Sequence, residues 1–418
     1  MGSTLVVDSS SSSELISTGG CRYPARAKPY APVMDFRPIA GVIVELFFTT
    51  MEIEGEEHLP ADTPMVLVAN HHSSLVDALI LLAATPVQVR SIGKSKLWRN
   101  PVLWPFLEAA EAIPVYRRVD GGGDNSAMFA EVRKVLTGGG SIGIFGEGTS
   151  HDGQGLMEIR TGAARMAIDA VNAGADLVIV PVGIVYEDRV RFRSHAGVRF
   201  GEPLWVKPVF DGVANDDRDA ASDLTDMIET GLRTVAPVWE SNHERAEARS
   251  AAISSLPVGA SLLEVEKEAE RLALIGADLP QPDPAQVGEH GEARIPAPPN
   301  QIDSGAAALL AVPAWAGWLL NLVPFTLIKL VAAGRPMNRQ ATLKLIIGVL
   351  LFPLWWTTIG VVVAMAAGSS GLGFAAALTV AVLGFIATRE LPLRRRERET
   401  MRRAAARGQL PDSDSAGT

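Results

Sequence analysis

The chain is expected to fold as an α/β domain on a mainly parallel sheet flanked by helices, followed by a C-terminal helical membrane module. Three observations carry that expectation. Short β-branched runs alternate with helix-spaced apolar patterns from about Met65 to Glu187, as crossover units with parallel buried strands require. A Pro-rich polar stretch, LPQPDPAQVGEHGEARIPAPPNQ at 279–301, then interrupts the pattern. Beyond it, Leu345–Ala367 and Leu372–Thr388 carry no charge at all, and roughly 20 apolar residues suffice to cross the hydrocarbon of a bilayer.

Taken in order, residues 1–35 are Ser-, Gly- and Pro-containing and aperiodic, and are expected to be a disordered tail. The expected α/β domain covers 36–240. Its apolar stretch GVIVELFFTT, from Gly41, is too short to span a bilayer. A buried helix and a helix lying in the membrane interface both fit it. MVLVAN (65–70), QVRSIG (88–93), AIPVY (112–116), SIGIF (141–145) and LVIVPVGIVYE (177–187) are expected strands. ALILLAA and NSAMFAEVRKVL are expected helices by apolar spacing. Residues 241–304 hold two expected surface helices, ERAEARSAAI and SLLEVEKEAERLALI, and then the linker.

The membrane module is expected at 305–390, with spans at 345–367 and 372–388. Arg335, Arg339 and Lys344 precede this hairpin, and eight arginines follow between Arg389 and Arg407. Basic flanks on both sides place both ends in the cytoplasm. An earlier apolar stretch, 306–327, is long enough to span but contains Pro313, Asn321 and Pro324. A full crossing there would put the basic loop and the α/β domain on opposite sides, so a re-entrant or interfacial segment is favoured. Residues 391–418 read as a basic, then disordered, cytoplasmic tail.

Composition narrows the function. A net charge of −9 disfavours a general nucleic-acid binder. Cys21 is the only cysteine, which excludes intrachain disulfides and multi-cysteine metal sites. No basic stretch leads into a long apolar run at the N-terminus, so a secretory signal is not expected and the catalytic face is placed in the cytosol.

The densest polar cluster is Asn70-His71-His72-Ser73-Ser74-Leu75-Val76-Asp77, where the first expected strand gives way to a helix. Catalytic groups of α/β sheets gather at the carboxyl ends of strands. A His and an Asp five apart across a tight turn, His72 and Asp77, can form a dyad. The carboxylate holds one ring nitrogen and the other serves as general base, as removal of a proton from an attacking alcohol requires. Helix capping by Ser73, Ser74 or Asp77 competes with this reading. A metal site at His71, His72 and Asp77 is disfavoured, because adjacent histidines point apart and further ligands are lacking nearby.

A second cluster, Phe145-Gly146-Glu147-Gly148-Thr149-Ser150-His151-Asp152-Gly153, offers backbone N–H groups to an anion. Glu147 could orient a substrate hydroxyl or an arginine. In the third, Ala112–Arg118, an arginine at a strand end suits bidentate phosphate binding. In the fourth, Pro181 within a strand marks a special local geometry.

In order and spacing, HHSSLVD, AIPVYRR, FGEGTS and VPVGI resemble the four motifs of the glycerolipid (glycerol-phosphate and lysophospholipid) acyltransferase family, with patterns NHxSxxD, GxIPVxR, FPEGTRS and VPV. The resemblance covers roughly 40–240. It implies His72 as general base, Asp77 as its partner and Ser74 as the motif serine. It implies Arg117 as the phosphate-binding arginine, Glu147, Gly148 and Thr149 as the acceptor loop, and Pro181 as the fourth-motif proline. It also implies transfer of a fatty acyl group from acyl-CoA or acyl carrier protein to a glycerol phosphate hydroxyl, at a membrane, with no metal or other cofactor. The acceptor would be 1-acylglycerol-3-phosphate or glycerol-3-phosphate.

The chain departs from the pattern in three places. His71 stands where the family has Asn, with Asn70 one residue earlier, Gly146 replaces the Pro of FPEGT, and Ser150 replaces the Arg of FPEGTRS. Loss of that Arg leaves Arg118, Lys94, Lys96 and Arg160 as the cations available to a phosphate. EGTSHD is similar to a loop of fungal glycerol-3-phosphate and dihydroxyacetone-phosphate acyltransferases, a subgroup that also carries a C-terminal membrane module.

Overall fold

A computed structural model describes residues 34–117, 122–237, 239–257, 259–276 and 304–406. Nearly all of the expected N-terminal tail, the Pro-rich linker at 279–301, residues 407–418 and Arg118 lie outside the described residues.

All five expected strands form: β2 (Met65–Ala69), β3 (Val89–Lys94), β4 (Ile113–Val115), β5 (Ser141–Phe145) and β6 (Val178–Tyr186). Three more join them, β1 (Phe48–Glu54), β7 (Ser194–Phe200) and the short β8 (Leu204–Trp205). The eight-stranded sheet runs in the order β1-β7-β6-β2-β5-β3-β4, with β8 pairing β6. From β6 to β4 every neighbouring pair is parallel; β7 is antiparallel to β6, and β1, parallel to β7, runs in the same reversed direction. The carboxyl ends of β2, β3, β4, β5 and β6 therefore open on one edge.

The β2 run is apolar throughout because both faces of the sheet are covered. Val66 and Val68 point into one core with α4 (Ser126–Thr137), α5 (Gly162–Asn172) and α7 (Arg218–Val235). Met65, Leu67 and Ala69 point into the other, with α1 (Arg37–Phe47) and α2 (Leu75–Ala84). This is the period-2 pleat with two buried sides.

The GVIVELFFTT stretch divides between two elements. Its first part belongs to α1, which buries Ala40, Val44 and Phe47 and leaves Ile39, Val42 and Leu46 exposed. From Phe48 the chain is the edge strand β1, parallel to β7. The β-branched pair at Thr49 and Thr50 favours that switch.

The two helices read from sequence as surface elements are integral to the fold. α8 (Asn242–Ser255) and α9 (Leu262–Leu274) bury Trp239, Ala248, Ile253, Leu263 and Val265 against Val185. Their charges are inside as well as outside. Arg249 is fully buried and its Nε donates to Glu266 Oε2 at 2.5 Å, while Trp239 Nε1 donates to Glu266 Oε1 at 2.8 Å. Burial alone would raise the Glu266 carboxyl, but the Arg249 and Arg245 guanidiniums hold it at about 2.

Beyond the linker, α12 (Met337–Ala367) and the apolar part of α13 (Ser370–Ala406) are each long and apolar enough to cross a membrane. They pack through small residues. A Cβ on Gly373 would stand 2.4 Å from the Gly360 carbonyl oxygen, the close approach that glycine permits between membrane helices. α13 continues as helix to Ala406, through the segment expected to be a tail.

The stretch expected to be re-entrant is broken into α10 (Ser304–Leu320) and α11 (Leu322–Ala332), bent by 59°. Asn321 sits at the break, fully buried. Its Nδ2 donates to the carbonyls of Gly317 (2.9 Å) and Val380 (3.3 Å), and its Oδ1 accepts from Trp356 Nε1 at 2.8 Å. A polar side chain inside an apolar bundle must be satisfied in this way.

Candidate active site

β2 ends at Ala69, and Asn70 locks its exit. Asn70 Nδ2 donates to the Ile184 carbonyl at 3.1 Å, and its Oδ1 accepts from Ile184 N at 2.7 Å. The next residue, His71, then swings over the sheet edge. Its ring stacks on Phe145 at 3.9 Å between centroids, with planes 13° apart. Its Nδ1 lies 2.8 Å from Asp77 Oδ2.

The dyad expected from sequence is thus corrected by one residue: Asp77 meets His71, not His72. Asp77 is fully buried, and its Oδ2 also accepts from Ser73 N at 2.7 Å. The Tyr186 hydroxyl, at the end of β6, donates to its Oδ1. Burial, and then the Asp77 charge, hold the Tyr186 phenol well above its usual range, so it stays a donor. A carboxylate on Nδ1 fixes the His71 tautomer and leaves Nε2 as the acceptor nitrogen.

His72 points the other way, into the protein, beside Gln154, Tyr186, Arg189 and Arg245. It is buried, its Nδ1 has no hydrogen-bond partner, and its ring lies edge-on to His151 at 4.8 Å. Burial, and secondarily the Arg189 charge, push its imidazole well below the ordinary value of 6.5.

The extra residue between His71 and Asp77 is accommodated at Ser74, which adopts φ 51° and ψ −119°. This backbone is strained for a residue with a Cβ. The Ser74 hydroxyl bonds the Ser150 hydroxyl at 2.7 Å.

β5 delivers the FGEGTS motif to the same edge. Glu147 is buried, and its carboxylate is committed within the protein. Oε1 accepts from His71 N at 2.7 Å, Oε2 accepts from Met157 N at 3.2 Å, and the His151 ring contacts Oε2. Glu147 therefore braces the His71 backbone; it was expected to face a ligand. Gly148 and Thr149 are exposed beside it. Gly148, at φ +69°, makes the turn that a Cβ would strain.

Arg117, following β4, reaches this loop and donates from Nη1 to the Gly148 carbonyl at 2.9 Å. Arg160 also lies beside Gly148, its Cγ 3.5 Å from where a Gly148 Cβ would stand. Its largely exposed guanidinium pairs with Glu158 at 3.1 Å. Arg117 and Arg160 thus converge on one glycine. Lys94 ends β3 on the same edge, exposed. Pro181 lies in mid-β6, one row from the site, and packs against Gly231 of α7.

Three contributors were missed in the sequence. His71 carried a signal, since Asn70-His71 reproduces the first two residues of NHxSxxD. Tyr186 lies near the end of the expected strand 177–187 and is the last residue of β6. The first turn of α12 carried none: Asn338 Nδ2 donates to the Ser150 carbonyl at 2.9 Å across 188 residues of chain.

Comparison with known proteins identifies the family. The Acyltransferase family profile matches residues 50–185, a range that contains all four motifs and the His71–Asp77 pair. Glycerol-3-phosphate O-acyltransferase 2 of Saccharomyces cerevisiae is 37% identical over 27% of this chain, and this chain spans only 16% of that protein's length. The 1-acyl-sn-glycerol-3-phosphate acyltransferase of Borreliella burgdorferi is 31% identical over 44% of this chain and 72% of its own length. The solved structure of a 1-acyl-sn-glycerophosphate acyltransferase from Thermotoga maritima is 18% identical, with a TM-score of 0.36, over 47% of this chain and 79% of its own. The motif order, the sheet edge that gathers it and a relative matched over most of its length together place the chain in the glycerolipid acyltransferase family.

Proposed function

We propose that the protein is a membrane-bound O-acyltransferase. It would move a fatty acyl group from acyl-CoA or acyl carrier protein to the hydroxyl of 1-acylglycerol-3-phosphate or glycerol-3-phosphate, on the route to phosphatidate. The single observation that carries the mechanism is the 2.8 Å contact between His71 Nδ1 and Asp77 Oδ2 at the carboxyl edge of the sheet. His71 Nε2 takes the hydroxyl proton as the acceptor oxygen attacks the thioester carbonyl. The new C–O bond forms, the C–S bond breaks, and the proton passes from the imidazolium to the departing thiolate. Asp77 stabilises the imidazolium.

Arg117 and Arg160 supply the cationic charge beside the Gly148 loop for the acceptor phosphate. They take over from the motif arginine that Ser150 replaces. The basic flanks of the α12–α13 hairpin support a cytoplasmic position for this domain. The two relatives named above act, by their names, on glycerol-3-phosphate and on 1-acylglycerol-3-phosphate. Both acceptors therefore stand. The test is an acceptor panel with labelled acyl-CoA and lipid analysis of the products. Acylation of at least one of the two is expected. Acylation only of non-phosphorylated alcohols would overturn the phosphate site.

A further inference from the structure

We infer that the first turns of the membrane helix α12 are part of the active site, and that Asn338 and Thr342 are positioning residues for the catalytic turn. This rests on the reading of the His71–Asp77 turn as catalytic. The loop after Glu147 departs from its family pattern at Ser150-His151-Asp152, and the structure gives each of the three a partner. Ser150 Oγ bonds Ser74 Oγ, and His151 contacts Glu147. Asp152 caps α12: its Oδ1 accepts from Asn338 N at 2.6 Å and its Oδ2 from Met337 N at 3.2 Å. These N–H groups open the helix and have no partner within it. A negative charge there is also favoured by the helix dipole.

α12 then returns contacts to both catalytic segments. Asn338 Nδ2 donates to the Ser150 carbonyl at 2.9 Å and contacts its hydroxyl at 3.3 Å. One turn on, Thr342 Oγ1 accepts from Leu75 N and donates to the Ser73 carbonyl, each at 3.3 Å. Ser73 and Leu75 flank Ser74, the strained residue of the turn between His71 and Asp77. The helix thus grips that turn on both sides of its strained point. Ala341 and Leu345 anchor the foot in the domain core, and Lys344 Nζ donates to the Val190 carbonyl at 2.7 Å.

The charge-free run starts three residues beyond Thr342, about 4.5 Å along the helix at ~1.5 Å per residue. Insertion of α12 in the bilayer and the geometry of the dyad are therefore mechanically linked. A strained turn released from its clamp displaces the imidazole, and misplacement by ~1 Å can cost about 100-fold.

The test uses the full-length protein in lipid vesicles, with Cys21 replaced. Ser150→Cys with Asn338→Cys should form a disulfide on mild oxidation. Thr342→Val and Asn338→Ala, singly and together, should lower kcat by about 10- to 100-fold with little change in KM for donor or acceptor. Thr342→Ser, which keeps the hydroxyl, should restore it. His71→Ala is run in parallel.

Absence of the cross-link overturns the inference whichever histidine is the base. Unchanged kcat in the double variant overturns it too, as does a Thr342→Ser enzyme no better than Thr342→Val. A fully active His71→Ala refutes the general-base reading alone. The kcat loss at positions 338 and 342, with rescue by serine, would then still support a clamped site.

Discussion

Replacement of each of the two adjacent histidines separates a catalytic imidazole from a structural one. In the structure His71 meets a carboxylate that is fully buried and already accepts from Ser73 N and Tyr186. Only His71 has one nitrogen oriented by Asp77 and the other left to accept a proton. Loss of a positioned general base costs about 10²–10⁴-fold, which is about 2.7–5.4 kcal/mol on the barrier at ~1.36 kcal/mol per tenfold. His71→Ala should therefore lose that much kcat while its far-UV circular dichroism and melting temperature stay close to those of the parent. His72→Ala should do the opposite. Its ring is buried against His151, Arg189 and Arg245, so the loss falls on stability, with kcat within a few-fold. The assay is steady-state acyl transfer with labelled acyl-CoA, paired with thermal unfolding of the same preparations. A His72→Ala enzyme that folds as well as the parent but turns over 100-fold more slowly, beside an active His71→Ala, would refute the assignment.

Three further outcomes are expected. His72 is held neutral in the fold, so below its ordinary value of 6.5 the unfolded chain binds a proton that the native state does not. Stability should then fall as pH drops below 6.5, by up to ~1.4 kcal/mol per pH unit. His72→Gln should flatten that slope in chemical denaturation and change nothing above pH 7.5; an unchanged slope would contradict it. Arg117→Ala should raise KM for the phosphorylated acceptor roughly 10- to 150-fold, the equivalent of a charge-assisted hydrogen bond at ~1.5–3 kcal/mol. KM for acyl-CoA should stay near its parent value, and equal effects on both would remove the assignment. Cysteines introduced at positions 340 and 405, with Cys21 replaced, should label from the same side of sealed vesicles. Labelling from opposite sides would contradict the hairpin.

The sheet was legible where it is covered on both faces. Runs such as MVLVA must be apolar throughout, and such runs stand out in any sequence. β1 and β7 were not legible because neither is an apolar run: β1 is an edge strand, and β7 is buried throughout but carries polar and charged residues. FTTMEIE is mostly half-buried, and SHAGVRF buries an arginine whose charge Glu270 balances at 3.0 Å. α8 was misread for a related reason. NHERAEARSAAISS has the composition of a solvated helix, yet Arg245 and Arg249 turn inward to a glutamate 17 residues or more away. No local pattern announces such a pairing.

The site was legible to within one residue. Counting back from Asp77 leads to His72; counting forward from Asn70 leads to His71. The two counts differ because the turn holds one residue more than the family pattern, and the structure absorbs it at Ser74 with a positive φ. Positive φ at a serine is not encoded in any spacing rule. Glu147 was found but its task was not. Whether a carboxylate faces a ligand or a backbone N–H depends on how the loop at Met157 returns, ten residues later.

The amide of Asn321 bears on how the chain is made. In the preceding turn of α10 it finds the Gly317 carbonyl, but its other partners, Trp356 and the Val380 carbonyl, belong to helices synthesised afterwards. As the chain is synthesised, the bent pair α10–α11 is made before α12 and α13, and until they follow it carries an incompletely satisfied polar group. It can settle only when residue 380 has followed. Of the helices beyond residue 304, the first made is thus the last to have its polar contacts completed, and the hairpin that comes after it completes them.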